Sequence, residues 1–206
     1  MESHAWWQLF SQQIRETDWL QWLAVSLGVA EVLLAKSNKI WLYPVGIAGT
    51  LLSVYILLLA GLYADSLLNV YYIVMSIYGW WYWLKKKNAP PTVISYCIRK
   101  DWIVVAYIVS ISFISLAVLL KYFTPSTVPV WDAWVSATAW AGMWLLSKRK
   151  IENWILLNIS NLFAIPLLMY KQLPLFAVLT LFLFIVAIFG YFEWRKILRQ
   201  KNPSIT

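Results

Sequence analysis

Long apolar runs dominate this sequence and limit what it can fold into. A helix that crosses a lipid bilayer needs about 20 consecutive residues that are mainly apolar. Seven runs of this kind follow one another along the 206 residues: roughly Trp19–Ala35, Ile40–Ala60, Ser66–Leu84, Trp102–Leu120, Trp131–Ser147, Trp154–Tyr170 and Pro174–Trp194. They leave no room for a separate soluble domain. The sequence therefore predicts an all-α membrane protein with seven transmembrane helices, numbered spans 1 to 7.

The amino-acid composition supports a membrane protein and excludes several classes of soluble protein. Hydrophobic residues make up 62% of the chain and charged residues 13%, whereas soluble domains average about 45–50% and about 25%. With one cysteine, Cys97, and one histidine, His4, the chain cannot build a disulfide framework or a Cys/His zinc site. The sequence also lacks the Gly-Lys-Ser/Thr loop that binds ATP phosphates. We expect no cofactor, no metal site and no enzymatic activity.

The net charge of +8 is distributed as in a membrane protein rather than as in a protein that binds nucleic acid. Lysine and arginine lie in short clusters between the apolar runs, and such clusters mark the cytoplasmic loops of membrane proteins. Of the 17 basic residues, 14 fall on one side of the predicted helices, and only Arg15, Lys121 and Lys171 fall on the other. The split predicts a membrane protein with its N-terminus outside and its C-terminus in the cytoplasm.

The chain contains a weak internal repeat. At an offset of 111 residues, the aligned pairs include Lys39 and Lys150, Tyr43 and Trp154, Gly79 and Gly190, and Trp83 and Trp194. This offset pairs spans 1–3 with spans 5–7 in the same orientation and leaves span 4 as a connector. Parallel repeats of this 3+1+3 kind are a transporter architecture, as in SWEET proteins, with a substrate site near the midplane between the repeats. The alternative is an old duplication whose interface no longer has a role.

These patterns divide the chain into six segments. Residues 1–17 carry Trp6, Trp7, Phe10 and Ile14 on one helical face, which favours an extracytoplasmic helix on the membrane surface. The remaining segments are the first three-helix repeat at 18–84, a basic cytoplasmic loop at 85–101, the connector helix at 102–121, the second three-helix repeat at 131–196 and a cytoplasmic tail at 197–206.

Residues near the ends of the predicted helices have structural interpretations. Tryptophans there, among them Trp83 and Trp194, are typical of the membrane interface, because the ring is apolar and its N–H can reach water or headgroups. Asp65 and Asp132 are placed to act as N-caps of spans 3 and 5.

Polar residues within the spans are the candidates for a binding site, since each costs free energy in lipid and usually faces a cavity or a partner. In span 6, Trp154, Asn158 and Asn161 share one helical face. An indole plane with amide donors and acceptors suits a heteroaromatic small molecule. The alternative is that the amides join neighbouring helices. In span 3, the residues Asn69, Tyr72 and Ser76 likewise share one face.

Glu31 is the one acidic residue well inside a predicted span. One interpretation is structural: its side chain reaches toward the cytoplasm and pairs with Lys36 or Lys39. The other is that it faces the pathway and attracts a cation.

Three motifs resemble the PnuC family of vitamin transporters, over about residues 18–198. The first is Ile40-Trp41-Leu42-Tyr43-Pro44-Val45-Gly46-Ile47, the second is Leu62-Tyr63-Ala64-Asp65, and the third is Tyr71-Tyr72-Ile73-Val74-Met75-Ser76-Ile77-Tyr78-Gly79-Trp80. Arg149-Lys150-Ile151-Glu152-Asn153-Trp154 and Gly190-Tyr191-Phe192-Glu193-Trp194-Arg195-Lys196 also match the family's pattern. Trp41, in the first motif, joins the candidate substrate-binding residues.

The resemblance implies a SWEET-like 3+1+3 fold, a homotrimer, and facilitated diffusion of nicotinamide riboside. It also implies that a cytoplasmic kinase traps the substrate by phosphorylation, and that related members carry thiamine or other vitamin-like molecules. The family's site in span 6 reads Trp-x-x-Trp-x-x-x-Asn/Asp, and Trp154 and Asn161 fit its first and last places, with Leu157 in the second. Where the family commonly has Gln in span 3, this chain has Asn69.

Two alternatives come from other functional classes. The chain could be a substrate-binding membrane subunit that needs an ATPase partner, or a receptor that does not transport and whose amides are purely structural. Uptake by the purified chain alone distinguishes the first of these from a facilitator. Unchanged ligand binding after replacement of Asn161 by Leu would favour the second alternative, the receptor whose amides are structural.

Overall fold

The structure is a computed structural model that describes residues 2–59, 63–85 and 94–201. Within these ranges the chain folds into eight helices: α1 (Glu2–Glu16), α2 (Trp19–Lys36), α3 (Leu42–Leu59), α4 (Tyr63–Lys85), α5 (Arg99–Phe123), α6 (Pro129–Ser147), α7 (Asn153–Tyr170) and α8 (Pro174–Lys201). Helices α2 to α8 correspond to spans 1 to 7. The all-helical prediction is confirmed.

The helix bounds agree with the predicted runs to within three residues at thirteen of fourteen ends. The exception is α8, which continues seven residues beyond Trp194 to Lys201, because its buried face extends to Leu198. Part of the segment predicted as a tail is therefore helical, and residues 202–206 lie outside the described chain. Five of the described helices, α2, α3, α5, α7 and α8, are long and apolar enough to cross a membrane. Helices α4 and α6 are richer in aromatic and polar residues.

The described helices pack in a closed ring. Helices α2, α3 and α4 pack together in chain order, and α6, α7 and α8 do so in the same way. The two groups meet at two seams, one between α4 and α6 and the other between α2 and α8. Helix α5 packs against α6, and α1 against α8. The turns α2–α3 and α6–α7 and the end of α8 carry basic clusters, so we call this end of the ring the basic side and the opposite end the far side.

Small residues let α6 take up its central position. Ala133, Ala137 and Ala141 are fully buried, and helices with small side chains at the contact can approach closely in a membrane. Gly142 faces α7, where a Cβ at position 142 would lie 2.9 Å from Cγ of Leu157. Helix α6 is thus enclosed by α5, α7 and α4.

On the far side, α1 is anchored to the α7–α8 turn through one side chain. Gln13 donates a hydrogen bond to the carbonyl of Gln172 (2.8 Å) and accepts one from the amide of Leu175 (3.2 Å). Trp7 stacks with Phe10 and is 69% exposed. The helix predicted over residues 1–17 is confirmed, and its apolar stripe remains available to a membrane surface.

Asp132 does not act as an N-cap, contrary to the prediction. Val128 occupies the N-cap position of α6, and the Asp132 carboxylate instead accepts hydrogen bonds from Lys171 (2.6 Å) and Ser126 (2.7 Å). The partner lysine comes from the distant α7–α8 turn, which local sequence could not reveal. The side chain of Asp65, the other predicted cap, lies outside the described part.

On the basic side, the described part of the predicted loop 85–101 packs against the α6–α7 turn. Ser95 exchanges backbone hydrogen bonds with Arg149 and Ile151, both at 3.1 Å. The amide of Cys97 donates to the carboxylate of Glu152 (2.9 Å), and burial raises the pKa of the Cys97 thiol. An ion pair between Lys150 and Asp101 (3.0 Å) adds a further link. Residues 86–93 of this loop lie outside the described chain.

Candidate functional site

Four side chains from α2, α3, α4 and α6 form what we call the Glu31 cluster: Glu31, Tyr43, Tyr72 and Trp140. The carboxylate of Glu31 lies against Gly46 of α3, and a Cβ there would overlap it. The same carboxylate interacts electrostatically with Tyr43 and Tyr72, and the Trp140 side chain adjoins Tyr72. Glu31 therefore points between the helices of the first group.

The predicted pairing of Glu31 with Lys36 or Lys39 is wrong. Lys36 places its ammonium over the ring of Phe189, 5.4 Å from the centroid, and Lys39 is exposed. Among the described residues, the ion pairs are those of Lys150 with Asp101 and Lys171 with Asp132. The glutamate turns inward because Gly46 leaves room for its carboxylate on α3.

Trp154 and Asn158 line a cavity of about 410 Å³ between α7 and α8. Trp154 is 1% exposed. Its indole Nε1 and the Oδ1 of Asn158 are buried, with no hydrogen-bond partner among the described residues. Buried polar atoms in native proteins are nearly always paired. This donor and acceptor therefore lack the partners that such atoms usually have.

Asn69 lines a different cavity, of about 670 Å³, which we call the far-side cavity. It lies between α2, α3, α4 and α8, toward the ends of these helices that are remote from the basic turns. Its wall is mainly apolar and includes Trp22 and Phe182, with polar groups from Gln21, Ser53 and Asn69. An aromatic wall with a few convergent polar groups is typical of a small-molecule site.

The other candidate residues lie apart from these two cavities. Ser76 is 2% exposed on α4, and Asn161 is half-buried on α7. Trp41 is 66% exposed on the turn that precedes α3. The structure thus brings Glu31 together with Tyr72, and Trp154 together with Asn158, but it does not gather all eight candidate residues around one cavity.

Two residues that were not selected as site candidates from the sequence, Trp140 and Tyr71, meet at the α4–α6 seam. Their rings stack with centroids 4.2 Å apart and planes 19° apart, and the Tyr71 hydroxyl donates to the carbonyl of Trp140 (3.1 Å). The signal was the helical face that Trp140 shares with Ser136 and Ser147, since such a face of small residues and one indole suits a helix contact.

The ring is closed on the basic side by two buried tryptophans. Trp83 donates its indole N–H to the carbonyl of Ser147 (3.0 Å), and Trp194 donates to the carbonyls of Ala35 (3.0 Å) and Lys36 (3.2 Å). These carbonyls belong to the last turns of α6 and α2, where intrahelical donors are lacking. Trp83 and Trp194 are 3% and 0% exposed, so their indole N–H groups bond protein carbonyls rather than the water or headgroups expected from the sequence.

Each of these tryptophans packs edge-on against a second ring. Tyr43 meets Trp83 with centroids 5.1 Å apart and planes at 89°, and Trp154 meets Trp194 at 5.7 Å and 88°. The guanidinium of Arg149 covers Trp83 at 3.5 Å. Burial lowers the pKa of Arg149 to about 10, while the nearby Tyr43 acts in the opposite direction. The side chains form a dense plug on the basic side, opposite the far-side cavity.

Comparison with known proteins identifies relatives along nearly the whole chain. A family model described as nicotinamide mononucleotide transporter matches residues 18–196. The nicotinamide riboside transporter PnuC of Escherichia coli (strain K12) is 22% identical over 213 residues, covering 91% of this chain and 89% of that protein, and the Shigella flexneri protein of the same name gives the same values. The crystal structure of the vitamin B3 transporter PnuC is similar in fold, with a TM-score of 0.69, 20% identity, and coverage of 95% of this chain and 88% of that one.

Proposed function

Since this chain belongs to the nicotinamide mononucleotide transporter (PnuC) family, we propose that it carries nicotinamide riboside across the bacterial inner membrane by facilitated diffusion. The observation that carries the proposal is the family match over residues 18–196, which includes helices α2 to α7 whole and most of α8. Members of the family are membrane transporters rather than enzymes. The proposed substrate is the one in the names of the relatives, and facilitated diffusion is our own proposal.

The direction of the chain in the membrane follows from the basic clusters. With 14 of the 17 lysines and arginines on one side of the predicted spans, the positive-inside rule favours a cytoplasmic location for that side, to which the basic side of the ring belongs. The tryptophan plug then closes the ring toward the cytoplasm, and the far-side cavity opens toward the outside. A cytoplasmic kinase that phosphorylates the arriving nucleoside would make uptake one-way without an ion gradient.

A 3+1+3 arrangement with seven spans is supported by features that recur at the offset of 111 residues. Asn38 and Arg149, which are equivalent positions in the two basic turns, both adopt positive φ angles, 52° and 54°. The amide of Lys39 bonds the carbonyl of Leu34 at 2.9 Å, and the amide of Lys150 bonds that of Leu145 at 3.0 Å. Parallel repeats related in this way are a transporter architecture. Helix α5 is then the connector.

The proposed ligand contacts combine aromatic faces with amides. Trp154 would stack on the flat pyridinium ring, with a cation–π attraction of about 0.5–2 kcal/mol. Asn158 and Asn161 would exchange hydrogen bonds with the substituents of the ligand, and Asn69 would meet it first in the far-side cavity. Tyr72, Ser76 and Glu31 would line the path on the first group of helices. The proposal gives Trp41 a place at the cytoplasmic exit, consistent with its position on the basic side.

Uptake into proteoliposomes tests this function directly. The purified chain should accumulate radiolabelled nicotinamide riboside to equilibrium, and an ionophore that abolishes the proton gradient should leave the rate unchanged. Loss of uptake with the ionophore would contradict facilitated diffusion. If the chain alone shows no uptake, a subunit that needs an ATPase partner is favoured. If thiamine competes for uptake and nicotinamide riboside does not, the substrate is thiamine.

The span 6 amide provides a second test with an internal control. Replacing Asn161 by Leu removes both hydrogen-bonding groups, and we expect binding of nicotinamide riboside to weaken by about tenfold, since a hydrogen bond to a ligand contributes roughly 0.5–1.5 kcal/mol. Asn202→Leu is the matched change outside the spans and should leave binding unchanged. Equal affinity of Asn161→Leu and wild type would favour a structural role for the amides. The molecular mass of the protein in detergent tests the proposed homotrimer.

A further inference from the structure

We infer that Glu31 selects a positively charged ligand, an inference that rests on the proposed transport function and assigns the charge of its substrate. The residue lies within α2, and its carboxylate occupies the space against Gly46 of α3. A carboxylate inside a membrane protein costs free energy unless a cation, a donor or water accompanies it. Among the described residues, the ion pairs do not include Glu31.

The second group of helices shows that packing does not require this carboxylate. The positions equivalent to Glu31 and Gly46 at the offset of 111 are Gly142 and Leu157. There the roles of the two helices are exchanged, because Leu157 of α7 packs against Gly142 of α6. A hydrocarbon side chain thus fills the same helix contact in one group that the carboxylate fills in the other.

The neighbours of Glu31 suit an aromatic cation. Tyr43 and Tyr72 interact electrostatically with the carboxylate, and Trp140 adjoins Tyr72. The hydroxyl of Tyr43 is buried, with no hydrogen-bond partner in the described part of the chain. Aromatic faces beside one carboxylate attract a flat organic cation through both charge and ring quadrupoles. Arg149 is the basic residue that interacts electrostatically with Tyr43, and its guanidinium lies over the ring of Trp83.

Two forms of one ligand separate the effect of charge from that of shape. Nicotinamide riboside carries a pyridinium cation, and its reduced dihydropyridine form is neutral and nearly isosteric. Calorimetric titration of the purified protein should give a clearly lower Kd for the cation. The Glu31→Gln variant, which keeps the shape of the side chain, should raise the Kd of the cation about tenfold or more and leave that of the neutral form nearly unchanged.

Two further variants control for folding and for charge in general. Glu31→Leu copies the hydrocarbon contact of the second group, so the protein should keep its thermal stability while losing its preference for the cation. Glu193→Gln removes an exposed carboxylate from α8 and should change neither Kd. Together they distinguish loss of selection from loss of structure.

Three results would overturn the inference: equal weakening of both ligand forms in Glu31→Gln, no change in either, or a wild-type preference for the neutral form. Failure of the proposed substrate looks different. If wild type binds neither nicotinamide form but binds thiamine, which is also an aromatic cation, the proposed substrate is wrong. Selection by charge is then decided by whether Glu31→Gln weakens thiamine binding to the same extent.

Discussion

The two seams of the ring are alike on the basic side. At the α4–α6 seam, Trp83 donates to the carbonyl of Ser147, and at the α2–α8 seam Trp194 donates to that of Lys36. Both donors and both acceptors are equivalent at the offset of 111 residues. The same bond therefore joins the end of each helix group to the first helix of the other, and it closes the basic side twice.

The two seams differ beyond the plug. At the α4–α6 seam, the Tyr71 and Trp140 rings stack and share a hydrogen bond. The equivalent positions at the α2–α8 seam are Phe182 and Val29, and Phe182 lines the far-side cavity instead. Beyond the plug, the α4–α6 seam thus has a ring stack and a hydrogen bond, whereas the α2–α8 seam borders the far-side cavity. We therefore expect a ligand to reach the ring from the α2–α8 seam, where the far-side cavity lies.

The largest effect is expected from removing the plug tryptophans. Trp83→Ala and Trp194→Ala should each lower the free energy of unfolding by about 3–5 kcal/mol, since each deletes a buried indole and a hydrogen bond. Thermal unfolding in detergent measures both. Trp41→Ala, at an exposed position, should change stability by less than about 0.5 kcal/mol. A large loss of unfolding free energy in only one of the two variants would contradict the equivalence of the two seams on the basic side.

A smaller loss of unfolding free energy is expected at two glycines that pack directly against aromatic rings of the plug. A Cβ at position 79 would lie 2.7 Å from Cζ of Tyr43, and one at position 190 would lie 2.7 Å from Cε2 of Trp154. Gly79→Ala and Gly190→Ala should each cost about 1–3 kcal/mol through overpacking. Gly28→Ala, where nothing lies within 4 Å, should be neutral or stabilising. Urea unfolding measures the free energy of unfolding of the three variants. A loss for Gly28→Ala as large as for the other two would contradict these contacts.

The smallest effect should reveal the difference between the seams. Tyr71→Phe keeps the stacked ring but removes the donor to the Trp140 carbonyl, and we expect a loss of about 1 kcal/mol in unfolding free energy. The reciprocal change, Phe182→Tyr, adds a hydroxyl beside a cavity and should stabilise the protein by less than about 0.5 kcal/mol. If Tyr71→Phe and Phe182→Tyr change the free energy of unfolding by equal amounts in opposite directions, the two seams are packed alike.

Much of the fold was predictable because apolar run length and turn charge depend on local sequence. The helix bounds from α2 to α7 followed from those two signals. The end of α8 did not, because a tryptophan at a predicted helix end is typical of the membrane interface, and only the packed ring shows that Trp194 is buried. The partner of Asp132 was likewise unpredictable, since Lys171 comes from a turn 39 residues away.

The candidate site was predictable only as pairs of residues on one helix. Helical spacing placed Trp154 with Asn158, and both line one cavity. Spacing could not show which faces of different helices meet, so it did not place Trp140 beside Tyr72, and it grouped Asn69 with residues that do not share its cavity. For Glu31, the deciding feature is the open surface of Gly46 on another helix, which periodicity along α2 does not reveal.

Labelling at two equivalent positions tests the difference between the two seams most directly. In a Cys97→Ser background, Ser53→Cys places a thiol in the far-side cavity, and Ala164→Cys places one at the equivalent position in the second group, where the residue is 9% exposed. We expect a membrane-impermeant maleimide, added outside, to label position 53 much faster than position 164, and nicotinamide riboside to slow this labelling. Equal rates at the two positions would contradict this expectation.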